Sequence, residues 1–202
     1  MSDGGFRWKN GLNEKSQYII RTGLGYNLGS NVRISAGMAF LGFYDESGLI
    51  KTEKRPYQEV LIRNKIKTLK ITHRFRSEQR FFSYTSNITT AFNHRFRYRI
   101  MLDLPLFSLS SSNPDKKVSV TLGDEILLNA GKEVVFNIFS QNRFLVGTSI
   151  PVNKNLSISL LYYLAYSKSN SPNDYQQNNN IWVGIKHKLN FTKKSNHSEI
   201  DS

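Results

Sequence analysis

Residues 92–104 read FNHRFRYRIMLDL, and residues 69–82 read LKITHRFRSEQRFF. In the first stretch Phe92, Phe96, Tyr98, Ile100, Leu102 and Leu104 share one parity, and Arg95, Arg97, Arg99 and Asp103 take the other. A period of two belongs to a β-strand with one apolar and one polar face. A ladder of guanidinium groups backed by so much apolar surface predicts a barrel that is apolar outside and polar inside, as in bacterial outer membranes.

The same alternation recurs along the chain. Nine strands are predicted, at 17–28, 32–43, 57–66, 69–82, 91–105, 118–128, 141–152, 156–167 and 180–191, with a fragment at 5–10. Tyr18, Leu24, Val32, Met38, Phe96, Ile100, Val120, Val146, Leu160 and Val183 are expected to point outward. Connections at 29–30, 67–68 and 153–155 are short, and those at 44–55, 83–90, 129–140 and 168–179 are long and polar. Short and long alternate, apart from a long segment at 106–117, which places the long loops at one end. The expected fold is all-β, an antiparallel up-and-down transmembrane β-barrel of about ten strands. It divides into a partial first strand and loop at 1–15, the barrel at 16–191, and a polar tail at 192–202 that follows Phe191.

Tyr18 and Tyr26 are separated by eight residues on the outward face. That is about 26 Å along a strand, a spacing that suits two interfacial aromatic belts. Tyr98, Tyr162, Tyr163, Tyr166 and Trp182 are further belt candidates. The alternative is the general preference of strands for aromatics.

Composition narrows the classes. The chain has 202 residues, 28 Lys plus Arg against 15 Asp plus Glu, and no cysteine. The net charge of +13 suits an anionic partner or arginines held in internal ion pairs. Lack of cysteine excludes disulfides and thiolate metal sites. No apolar run approaches the roughly 18 residues of a membrane helix, so any crossing is by strands. The opening MSDGGFRWKN has no basic-then-apolar leader.

THRFRSEQRF (72–81), HRFRYRIMLDLPL (94–106), GDEILLNAG (123–131), FSQNRFLVGTSIPVNKNLSISLLYY (139–163) and WVGIKHKLNF (182–191) resemble the domain of unknown function 2490 family of the Bacteroidetes envelope. TEKRPYQEV (52–60) is similar to that family's Glu-His-Arg…Gln stretch, with Lys54 in the His place. The resemblance implies an outer-membrane-type barrel of unknown substrate. Members usually carry a signal peptide and an earlier strand, so the resemblance implies a chain shortened at its N-terminus. Closure then requires residues 5–10 to pair in part with 180–191, or an edge stays open.

The polar parity assigns to the interior Arg74, Arg76, Glu78, Arg80, Arg95, Arg97, Arg99, Asp103, Glu125 and Arg143, with Arg21, Arg33 and Arg63 beyond them. Glu78, Asp103 and Glu125 are the expected counter-charges, joined by Glu53. Such an interior is either a rigid plug of ion pairs or an anion-binding or anion-selective passage. The expected protein is not an enzyme and takes no metal or other cofactor. Its partners are outer-membrane lipid and a small anionic solute, not nucleic acid. His73 and His94 fall on the apolar parity, and no serine partners either in the manner of a lipid-acting hydrolase. A soluble lipocalin-like barrel is the alternative fold, with the two faces exchanged. An RFRYR-type stacking surface for nucleic acid lacks the backing helices that it would need.

Overall fold

The structure is a computed structural model, which describes residues 1–86, 89–109, 117–132, 134, 138–153, 155–168 and 174–189. Ten strands form one antiparallel sheet in strict sequence order. They are β1 (Ser2–Lys9), β2 (Glu14–Leu28), β3 (Val32–Asp45), β4 (Gly48–Ile66), β5 (Leu69–Tyr84), β6 (Thr90–Ser108), β7 (Lys117–Ala130), β8 (Phe139–Pro151), β9 (Leu156–Lys168) and β10 (Tyr175–His187). The sheet curls into a barrel-like form, and no helix occurs among the described residues.

Side chains sort by parity as the period of two requires. Leu24 is 84% exposed, Ile181 73% and Val183 71%. Glu53, Glu78 and Glu125 rank with Leu127 as the largest fully buried side chains. The arginine face is therefore concave, which excludes the exchanged faces of a lipocalin-like barrel.

Several boundaries differ from expectation. The predicted loop at 44–55 is a turn at Glu46-Ser47, after which β4 starts at once. Asp45 Oδ1 accepts from Ser47 N at 2.8 Å and Ser47 Oγ at 2.6 Å, and Gly48 closes the turn with φ 114°. The connection between β5 and β6 shrinks to 85–89. Long connections at that end are thus confined to the C-terminal half, and the alternation of short and long holds only there. β10 begins five residues earlier than the predicted 180 and ends at His187. Phe191 and the tail at 192–202 lie outside the described residues.

No ladder joins β1 to β10, so the edge between them stays open. Arg7 and Trp182 nevertheless approach across it, the guanidinium carbon 5.3 Å from the ring centre.

One close approach fixes the curl near β2 and β3. Gly23 and Gly37 face each other in the ladder. The Tyr57 hydroxyl lies over both, 2.7 Å and 2.6 Å from where their Cβ atoms would stand. Arg76 stacks on the Tyr57 ring at 4.5 Å. Only glycine leaves room for this ring.

Candidate functional site

The register sets arginine against arginine. Arg74 faces Arg99, Arg76 faces Arg97 and Glu78 faces Arg95, while Arg80 faces Asn93 rather than an arginine. Like charges this close require carboxylates between them, and four glutamates supply these.

Glu53 takes two guanidiniums in the fork geometry of paired hydrogen bonds. Arg55 donates to it at 2.6 and 2.9 Å, and Arg80 at 2.7 and 3.1 Å. Glu59 accepts from Arg76 at 2.7 Å. Glu78 accepts from Arg97 Nη1 at 2.8 Å and lies 3.5 Å from Arg55. Glu125 accepts from Arg97 Nη2 at 2.8 Å, from Arg143 at 3.2 Å and, more closely, from Arg74. The result is one continuous lattice across β4 to β8.

Of the ten residues read from the sequence, Asp103 stands apart. It accepts from Thr121 Oγ1 and meets no arginine among the described residues. Its place opposite Lys70, near the far end of β6, puts it beyond reach of the lattice. Arg33 lies over Gly25 and Arg63 is exposed, so both also lie outside the lattice. Arg21 pairs with Asp3 at 2.7 Å instead. Arg55 and Glu59 belong to the lattice but are not expected from the sequence, because Arg55 falls in the stretch 44–55 that reads as a loop and Glu59 in a mixed strand at 57–66 where neither face is uniformly apolar.

The lattice has more cations than anions. Arg55, Arg74, Arg76, Arg80, Arg95, Arg97, Arg99 and Arg143 stand against four glutamates. Among the described residues Arg95 hydrogen-bonds neutral groups, donating to Asn129 at 2.9 Å and Ser140 at 3.2 Å, and its nearest carboxylate in the ladder, Glu78, is taken by Arg97. Arg99 has no carboxylate partner among the described residues, and its Nε is buried without an acceptor. All eight arginines border one cavity of about 450 Å³ on the concave side.

Leu145, Leu161, Tyr163 and Trp182 also line that cavity, and they belong to an apolar cluster with Ala165 and Met101. Tyr163 and Trp182 are therefore concave residues, a correction to the belt expected of them. Strand β9 is apolar on both faces, so parity alone could not orient it. Tyr98 points outward as expected, but it bonds His73 Nδ1 at 2.9 Å.

A family model described as protein of unknown function (DUF2490) matches residues 1–177. The chain belongs to this family. The DUF2490 match contains the whole lattice, from Glu53 to Arg143, and also β1. No curated protein matches the chain.

Proposed function

We propose that this DUF2490 protein is a non-enzymatic β-barrel of the bacterial outer membrane, and that its arginine-lined interior binds or passes small anions. The observation that carries the reading is the inverted burial, with glutamates among the most buried side chains and aliphatics among the most exposed. A water-soluble protein would expose the charges and bury Leu24, Ile181 and Val183. A hydrocarbon surround makes the observed arrangement the favourable one.

Two further features support it. Outward aromatics gather where the strands meet one set of connections. Tyr44 contacts Tyr18, Phe81 contacts Phe92, and Phe139, Tyr166 and Tyr175 form a cluster with Tyr166 and Tyr175 stacked at 5.0 Å. Such a row suits an interfacial belt, and Lys54, whose stem lies beside Phe81, can extend its ammonium toward it. Outward polar side chains also satisfy one another. Gln58 and Gln79 exchange bonds of 3.1 and 3.3 Å, and Asn142 donates to Asp124 at 2.9 Å. In lipid an unpaired polar group costs several kcal/mol.

Interior anion binding rests on the unbalanced arginines Arg95 and Arg99. Planar-bilayer conductance of the wild type, Arg97→Glu and Arg95→Gln tests it, with sulfate-dependent thermal stabilisation measured alongside. Anion-selective steps that weaken in Arg95→Gln and reverse in Arg97→Glu support passage. Stabilisation by sulfate without conductance supports binding in a closed interior. Neither effect in a folded, membrane-inserted wild type would overturn the anion reading, and hydrolysis of a phospholipid would overturn the non-enzymatic one.

A further inference from the structure

The cavity is lined by two chemically different groups of residues, arginines and an apolar set. Arg143 stands where they meet, donating to Gln141 at 2.6 Å with its guanidinium carbon 5.5 Å from the Tyr163 ring. Tyr163 is only 5% exposed, yet its hydroxyl has no hydrogen-bond partner among the described residues. A buried hydroxyl left unpaired costs free energy that a ligand acceptor would recover. Arg7, across the open edge, has no carboxylate partner among the described residues and rests on Trp182. Leu145, Leu161 and Trp182 continue the apolar wall toward that edge.

We propose that the cavity takes an amphipathic monoanion, a long-chain carboxylic acid. Its carboxylate is held by Arg7, Arg143 and the Tyr163 hydroxyl. Its hydrocarbon chain lies along Leu145, Leu161 and Trp182. A small inorganic anion would satisfy the arginines but leave this wall uncovered. The cavity volume falls within the usual range of small-molecule sites, about 300–1,000 Å³. The bound carboxylate draws the Arg7 guanidinium off the Trp182 ring. This inference rests on the anion-binding reading above.

Trp8 and Trp182 are the only tryptophans, so Trp8→Phe makes Trp182 the sole reporter. The full chain carrying that change is placed in phosphatidylcholine vesicles and titrated with dibrominated stearate, a contact quencher, or with its methyl ester. The expected result is saturable quenching by the acid, reversed by unlabelled stearate and absent with the ester. Arg7→Gln lies at an edge and removes no ion pair, so it should fold. It weakens binding about tenfold or more through loss of a charge-assisted bond, and Tyr163→Phe weakens it to a smaller degree. Equal, unsaturable quenching by acid and ester would overturn the proposal. Sulfate stabilisation with no displaceable stearate would also overturn it while leaving the anion reading intact. Loss of both responses would remove both readings.

Discussion

Arg97 and Glu125 meet at 2.8 Å across neighbouring strands, with side chains only 9% and 2% exposed. Because Arg97 also reaches Glu78, one guanidinium bridges two buried carboxylates, and Glu125 in turn holds three arginines. The energetic consequence is asymmetric. The assembled lattice contributes modestly, whereas removing one member strands charges in a medium that solvates them poorly.

Glu125→Gln should therefore lower stability by about 3–5 kcal/mol, as Arg74, Arg97 and Arg143 lose their shared counter-charge. Asp3→Asn removes a pair whose carboxylate is 57% exposed, and should cost about 0–1 kcal/mol. Urea unfolding in lipid vesicles measures both. Equal losses would mean that the lattice is as well solvated as the rim.

Arg95→Gln should behave oppositely to Arg97→Gln. Arg95 bonds neutral groups and lies between Glu78 on one side and arginine neighbours on the other, so attraction and repulsion offset and its removal should change stability by no more than about 1 kcal/mol. Arg97→Gln should cost about 3–5 kcal/mol. A large loss in Arg95→Gln would show that a carboxylate or bound anion compensates Arg95 in the native state.

Gly37→Ala should destabilise by about 1–3 kcal/mol through overpacking, because a methyl group there meets the Tyr57 hydroxyl and the Thr22 carbonyl oxygen. Gly5→Ala, with nothing within 4 Å of where its Cβ would stand, is the control and should be near neutral. Thermal melts of the two variants would separate local crowding from a general dislike of alanine in the concave face.

Strand number, direction and face were legible because β2, β3, β5 and β6 alternate without interruption. The start of β4 was not. There Glu53 and Arg55 point inward while Lys54 and Pro56 point outward, so neither face is apolar and no period shows. Pro56 strengthens the look of a loop, since it cannot donate to a ladder. In the structure it pairs with Met38 on one side, while the ladder to β5 skips Arg55 and Pro56. Missing that half-strand hides Arg55 and the full role of Glu53, and with Glu59 it leaves the expected lattice short of acid. Tyr163 is misplaced for the opposite reason, because β9 is apolar on both faces, whereas Trp182 on β10 stands at the opposite parity to the outward Ile181 and Val183, which already marked it as concave.

The central claim is that the aliphatic face meets lipid and the arginine face does not. A chain with no cysteine allows single nitroxide labels at Leu24→Cys, Leu160→Cys and Val183→Cys outside, and at Gln17→Cys and Gly5→Cys on the cavity wall. The decisive measurement is the collision rate of each label with oxygen, which dissolves in bilayers, and with a water-soluble nickel chelate, on protein in phosphatidylcholine vesicles. High oxygen and low nickel accessibility are predicted at the three outer sites, and the reverse balance at the two cavity sites. Nickel reaching the Leu24, Leu160 and Val183 labels as freely as the cavity labels would contradict the claim.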